Sequence, residues 1–520
     1  MSIDSAVRQD LDKIHSASME ILSKTGIKLY SIEAVAYFAE RGVKIDGLTV
    51  YPTEDFIMDT ISTAPKTFTV FSRRPRPKAP KPDSFAQTAK PKDSQEQVPK
   101  PPLEPLPELD MIFDGRRSYF APAYGCSTIT EKNGQTRPST LEDYVKIAKL
   151  VHQSPHFMVN GGILVQPTDV DPELAALAMT FASLIATDKC LLLVPTNGEI
   201  FIELMYLMAL SCGGELEFAK YPRTFTLIST LSPLVIGQDA FDCLNVAASS
   251  GQALIIAPGP MAGASGPITL AGNLAVANAE CLTAIALSQM VKPGTPVFYG
   301  VDATVSDLRV GLVSVGNPGF SAMTMYSKLM ASYYGLPSRC GGAVTDALEL
   351  SSQSGLESMM NLMVCLESGV DLIPHSAGVL ASRATFGYEK FMSDLEMISM
   401  LDYAKKPLAV NDDTLALETI MDVGHEGVFF NQKHTLKNAR DYPFYPRVAP
   451  LGQVRTRPLS ERILANADKA MEKSLSTYQP PEMDKTVRNE LRMLLVSRKV
   501  DTELTAKIMR LVSEGVKRDD

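Results

Sequence analysis

A (β/α)₈ barrel with helical additions at both ends is the fold class this sequence predicts, and three observations predict it. Seven short apolar runs, at 158–165, 190–198, 224–233, 253–263, 296–300, 338–344 and 371–378, share one grammar. Each ends in Gly, Pro or a small polar residue, and most are followed by a long amphipathic helical stretch. Strand, small-residue loop and helix in repetition is the pattern of parallel strands covered by crossover helices. Small residues at strand ends leave room for a ligand and bring backbone N–H and C=O groups to the floor of a cavity. SYFAPAYGCSTIT (118–130) supplies an eighth strand or a hairpin, with the NG turn signal at 133–134 after it.

The elements follow in order. Residues 1–72 read as a helical cap of three helices, stopped at Gly26, Gly42 and Pro65. Residues 73–108 are rich in Pro, Lys and Glu and nearly empty of large apolar residues. Such a stretch buries too little surface to offset its ordering entropy, so a mobile surface insertion is expected there. Residues 109–400 carry the barrel. Its first helix starts at STLEDYVKIAKLVHQ, where Thr140 and Asp143 form a variant capping box. DPELAALAMTFASLIATD, GNLAVANAECLTAIALSQMV, SGLESMMNLMVCLESG and YEKFMSDLEMISML read as further helices. Residues 401–520 form a helical extension whose charged stretch 480–520 is a surface helix or an oligomer contact.

Composition narrows the function. A chain of 520 residues exceeds a minimal barrel of roughly 250. Its 45% hydrophobic and 21% charged content suits a globular enzyme, and a net charge of −9 argues against nucleic acid or an anionic membrane as partner. The N-terminus has no apolar signal region, and 253–272 is interrupted by prolines, so a cytoplasmic protein is expected. Seven scattered cysteines without CxxC spacing read as buried thiols, with no metal site expected. GxGxxG, Walker and GxSxG motifs are absent, and the six histidines do not pair at metal spacing.

The polar candidates lie at strand ends. His375 ends the run DLIPHSAG and is either a hydrogen-bonded spacer or a ligand donor. Arg339, in SRCGGAV, is either a salt bridge or a ligand contact. Asp346 and Glu389 are either local dipole and loop partners or counter-charges for a bound cation. With no Trp in the chain, a cage for a quaternary ammonium would draw on Tyr124, Phe298, Phe386 and Tyr388.

SMEILSKTGI, FAPAYG, STLEDY, APGPMAGASGPITLAGNLAVANAE, LPSRCGGAVTDA, PHSAG, YEKFMSDLE and the late HTLKNAR with FYPR together resemble the trimethylamine methyltransferase family of corrinoid-dependent methyltransferases. The resemblance runs from about residue 10 to 475 and excludes 73–108. It implies a (β/α)₈ barrel that moves a methyl group from an amine to the Co(I) corrinoid of a separate small protein. The founding members carry pyrrolysine; this chain has standard residues only, like the branch acting on quaternary amines such as glycine betaine, proline betaine and carnitine. A quaternary nitrogen leaves as a neutral amine, so no general acid is needed. The resemblance thus implies a cognate corrinoid protein as partner, no tightly held cofactor on this chain and a small quaternary amine as substrate; a homo-oligomer is expected beside it. Within it, His375 and Arg339 would hold the substrate carboxylate, with Glu389 or Asp346 facing the ammonium. A pterin or carbon-acid enzyme using Asp346 or Glu389 as base, and a non-catalytic betaine-binding member, are the rival readings.

Overall fold

The computed structural model describes residues 5–74, 104–450, 458–498 and 500–514. The expected insertion lies mostly outside these residues. Its flanks are anchored: Arg73 donates to the Leu184 carbonyl, and the Leu106 N–H donates to Asp110 Oδ2.

The fold is mixed α/β. Five parallel strands pair in the spatial order Val297–Tyr299, Ala253–Ile256, Thr224–Ile228, Cys190–Leu193, Val159–Gly161. All five sit in the apolar runs. Leu372–Ile373 pairs in parallel with Tyr119–Phe120. Single parallel bridges join Phe120 to Phe157, Tyr299 to Ser338, and Arg339 to Leu372. The run at 338–344 is thus reduced to two bridging residues, because Gly341 and Gly342 take φ of 78° and 136° and leave the extended region.

Helices alternate with these strands. Leu141–Gln153 opens on Thr140, whose hydroxyl accepts from the Asp143 N–H while Asp143 accepts from the Thr140 N–H. Pro172–Ala186, Gly198–Ser211, Gln238–Ser249, Leu270–Val291, Pro318–Tyr333, Ser352–Ser368 and Tyr388–Lys405 follow. Leu270–Val291 is long and apolar enough to cross a membrane, yet 89% of its apolar window is buried in the protein. It is a core helix against Ser5–Lys24, Glu54–Ile61 and Gln238–Ser249.

Strand side chains divide by parity. Leu191, Leu193, Ile228, Leu254, Ile256, Val297 and Tyr299 join the core shared with the helices. Phe225, Leu227, Ala253, Ile255, Phe298 and Leu372 form a second cluster on the other face. The hairpin of Phe68–Val70 with Met111–Phe113 enters that cluster. It sits at the N-terminal ends of the strands: Phe71 N–H donates to Pro222 O and Arg73 N–H to Asp188 O. The region read as a purely helical cap contains this strand and a small sheet of Ile27–Leu29, Lys44–Asp46 and Thr49–Tyr51. Gly26 and Gly42 stop their helices at φ near +74°.

The C-terminal helices Leu459–Ser476, Lys485–Ser497 and Thr502–Ser513 cover the outer helices. Lys149 Nζ donates to Leu511 O, Tyr478 Oη donates to Ala186 O, and Arg498 pairs with Glu203. The stretch expected as surface helix or oligomer contact therefore packs on its own chain.

Candidate functional site

Five polar side chains converge where the strands end. Arg339 shares the register of Leu372, so it lies on the inward face. Asp302 follows Tyr299 and Gly300, with its N–H donating to Pro258 O. Arg383 comes from the loop between the paired Val379–Leu380 and Thr385–Gly387. His375 and Tyr124 follow the 372–373 and 119–120 strands. The Tyr124 ring packs on Gly162 at φ +70°, where a Cβ would stand 3.0 Å from the ring.

Asp302 organises the two guanidiniums. Arg383 grips it with two nitrogens, at 2.5 and 3.0 Å, and Arg339 Nη1 stands 3.9 Å from its Oδ2. Burial opposes ionisation of Asp302; Arg383 and Arg339 outweigh it and hold the carboxyl below its ordinary range. His375 is pushed well below the ordinary histidine range by burial and then by Arg383 and Arg339, so it is neutral. Burial raises the Tyr124 phenol, which stays protonated. Two guanidiniums against one carboxylate leave one positive charge in excess, in a place where Arg339 is 4% exposed and His375 3%.

Those groups are not satisfied by the protein. Tyr124 Oη, His375 Nδ1, Arg339 Nη1 and Arg383 Nε are buried and have no hydrogen-bond partner. Buried polar atoms are nearly always paired, and an unpaired one costs about 1–3 kcal/mol. Eight more such atoms lie scattered among the described residues; these four are set apart by surrounding the one Arg339–Asp302–Arg383 group, where a ligand that accepts from guanidinium and meets a hydroxyl would satisfy them.

Backbone strain lies beside them. His375 has φ 52°, and Ala381, Ser382 and Arg383 have φ 48°, 52° and 78°. Non-glycine residues pay about 1–3 kcal/mol each for such conformations, which persist where surroundings over-determine them. Here Ala381 N–H donates to Ala347 O, Ser382 N–H to Thr345 O, and Ser382 Oγ to Asp346 Oδ1 at 2.6 Å.

The other sequence candidates lie elsewhere. Asp346 also accepts from Ser314 Oγ and from the Val315 N–H, so it latches the Arg383 loop and faces no cation. Phe298 belongs to the plug at the opposite strand ends, its ring centroid 4.7 Å from Phe113 and 5.1 Å from Phe68. Phe386 packs on Phe391 and Tyr388. Tyr388 donates to Asp143 Oδ1, and its ring face is taken by Lys146 at 4.0 Å. Burial raises Glu389, which clusters with Asp468 and Lys132 away from Arg339 and Asp302. Only Tyr124, Arg339 and His375 of the predicted set come together. Asp302 and Arg383 were missed. A charged residue two positions past a strand-ending Gly, as in YGVD (299–302), was the available signal for Asp302. Among the described residues, no three His, Cys, Asp or Glu side chains converge as a metal set.

A buried cluster of two arginines, one aspartate, a neutral histidine and a tyrosine at the strand ends of a mixed α/β fold is the class these features define. The chain belongs to the trimethylamine methyltransferase (MTTB) family, whose profile matches residues 2–79 and 104–503. Residues 80–103, inside the 73–108 stretch, fall outside that match. The glycine betaine methyltransferase of Desulfitobacterium hafniense is 32% identical over 94% of this chain and 95% of its own. The proline betaine:corrinoid methyltransferase of Eubacterium limosum is 26% identical, covering 94% and 96%. The L-carnitine:corrinoid methyltransferase of the same organism is 26% identical, covering 81% and 82%.

Proposed function

We propose that this chain transfers an N-methyl group from a carboxylated quaternary amine, of the glycine betaine kind, to the Co(I) corrinoid of a separate protein. The four unpartnered buried atoms on Tyr124, His375, Arg339 and Arg383 carry the reading. A carboxylate supplies acceptors for both guanidiniums and cancels the excess positive charge. The names of the betaine- and carnitine-specific relatives support the same substrate class.

We read the eight strand segments as one closed barrel with this site at its mouth. The chain of parallel pairings from 119–120 through 157–161 to 297–299, then by 338–339 to 372–373 and back to 119–120, supports that reading.

The residues then divide the work. Arg339 and Arg383 bind the carboxylate, with Asp302 fixing their planes. His375 stays neutral and offers Nδ1 to the same group. Tyr124, Leu227 and Ala257 wall the ammonium with apolar surface and keep water out. The substrate is thereby held with an N-methyl directed outward, where the partner's corrinoid supplies the nucleophile. As the methyl carbon gains its bond to cobalt, the C–N bond breaks and its electron pair stays on nitrogen. A neutral tertiary amine leaves without needing a proton, so no general acid is required. Alignment of donor, methyl and acceptor is the chain's main contribution to rate.

The test is purified protein with a Co(I) corrinoid and a panel of methylated amines, followed by the visible spectrum of the corrinoid. Methylation with betaines and not with trimethylamine is expected. Turnover of a substrate without any corrinoid would favour the pterin or carbon-acid reading. Micromolar betaine binding without methylation would favour a binding protein.

A further inference from the structure

The two loops that carry Arg339 and His375 are fastened to each other and to a buried ion pair outside the substrate site. Ala343 N–H donates to the His375 carbonyl at 3.1 Å. Gly342, at φ 136°, lies so close to the second loop that a Cβ there would stand 2.5 Å from Pro374 O and 3.0 Å from His375 Cβ. The ion pair is Lys390 with Asp394, one turn apart on Tyr388–Lys405 and 1% and 3% exposed. Lys390 Nζ donates to both Asp394 oxygens, at 2.5 and 2.6 Å, and to Ser358 Oγ at 3.0 Å.

From that pair two arms reach the site loops. Asp394 Oδ2 accepts from the Gly378 N–H at 2.8 Å, three residues past His375. Ser358 Oγ, fully buried on Ser352–Ser368, donates to the Ala343 carbonyl at 3.0 Å. Ala343 N–H and His375 O close the ring. A circuit that leaves the second loop at Gly378 thus returns to it at His375, by way of Asp394, Lys390, Ser358 and Ala343.

Low local dielectric strengthens each bond of such a circuit, and opening one strands a buried polar group. What the circuit holds is a strained peptide. His375 sits at φ 52°, a conformation that a non-glycine residue keeps only where its surroundings over-determine it. On the other side His375 N–H donates to Pro122 O and Ser376 N–H to Ala121 O, just before Tyr124. The His375 peptide is clamped between the strand end of Tyr124 and the ion pair. Charge matters to the clamp. Burial raises the Asp394 carboxyl, with Lys390 and the Gly378 N–H working against it. Without Lys390 that carboxyl takes up a proton more readily and weakens as an acceptor, and Ser358 loses a donor.

We propose that Lys390 and Asp394 are positioning residues for the substrate site. They set the His375 imidazole against Arg339 through the backbone at 343 and 375–378, without touching the substrate. The proposal rests on the reading of that site as a carboxylate pocket.

The test measures glycine betaine binding by calorimetry in wild type, Lys390→Met, His375→Ala and the double variant. Hydrogen exchange by mass spectrometry follows the peptides covering 338–346 and 371–380. Lys390→Met should weaken glycine betaine binding about tenfold, a size usual for coupled neighbours, and speed exchange in both loops together. In the His375→Ala background the same change should weaken binding by about twofold or less, because the residue it positions is gone. A merely structural pair would lower the melting temperature and leave the affinity of the folded fraction alone. Lys390→Met with Asp394→Asn strands no buried charge and keeps an acceptor for the Gly378 N–H, so it should melt near wild type and still bind betaine more weakly. Equal losses in the two backgrounds, or exchange that rises evenly over the whole chain, would overturn the proposal. A wild type that binds no betaine would overturn the carboxylate reading and this proposal with it. Wild-type binding that is indifferent to Lys390 would overturn this proposal alone.

Discussion

At the N-terminal ends of the strands, Phe68, Phe113, Phe225 and Phe298 pack edge to face or tilted, within 4.7–6.2 Å of one another where they touch. At the C-terminal ends, Arg339, Asp302, Arg383, His375 and Tyr124 carry charge, left-handed backbone and unpaired polar atoms. The two regions lie at opposite ends of the same strands: Phe298 sits within Val297–Tyr299, and Asp302 just past its end. The rings of the plug carry no polar atom, although Ser72 Oγ, Arg73 Nε and Arg223 Nε at the same end are also buried without a partner. The C-terminal end differs in its left-handed backbone, which the Asp346, Thr345 and Ala347 bonds hold in place. Buried charge occurs at both ends, with Arg73, Asp110 and Lys189 beside the plug, but only at the C-terminal end does it come with a run of left-handed residues, which supports the reading of that end as the working one.

The largest effect should come from the plug. Phe113→Ala removes a ring that touches Phe68, Tyr119, Phe225 and Phe298, and should cost about 3–5 kcal/mol in chemical denaturation. Betaine affinity of the folded fraction should stay at the wild-type value. A loss of affinity as large as the loss of stability would erase the distinction between the two ends.

Substrate charge sharpens the other side. Protonated dimethylglycine brings an N–H to a site where Asp302 is already engaged by Arg383, at a cost on the order of 1–3 kcal/mol. Its free base would be a far poorer leaving group. Exhaustive turnover of glycine betaine should therefore stop at dimethylglycine; sarcosine in the product mass spectrum would show that quaternary charge is not the selector.

The smallest effect is a pH dependence. His375 is neutral when folded, whereas in the unfolded chain an imidazole titrates near pH 6.5. Below that pH the unfolded chain takes up a proton that the folded chain refuses, so this contribution to stability is present above about pH 6.5 and declines as pH falls. Between pH 7 and 5.5 the loss is about 1 kcal/mol. His375→Gln should show a correspondingly smaller acid loss in urea unfolding, and an unchanged acid loss would mean that His375 titrates normally.

The strands were legible because their runs are short, apolar and bounded by small residues. Strand ends then located Arg339, His375 and Tyr124. Parity was not legible: in runs buried on both faces nothing tells whether Phe298 turns inward or toward the helices, nor that its height along the strand puts it with the plug and not the site. Nor was the plug, since Phe68–Val70 and Met111–Phe113 are separated by the Pro-rich stretch. Arg383 reaches Asp302 only through a loop with three consecutive left-handed residues, which ASR at 381–383 does not announce. Phe386, Tyr388 and Glu389 follow that loop and so fall outside the site.

Calorimetric titration of glycine betaine into wild type and Arg339→Met tests the central claim most directly. A charged hydrogen bond to a buried carboxylate is worth about 1.5–3 kcal/mol, so affinity should fall roughly tenfold to over a hundredfold. The melting temperature should hold or rise, because a buried charge has been removed. Equal affinity in the two proteins would contradict the account and place the carboxylate away from Arg339, Asp302 and Arg383.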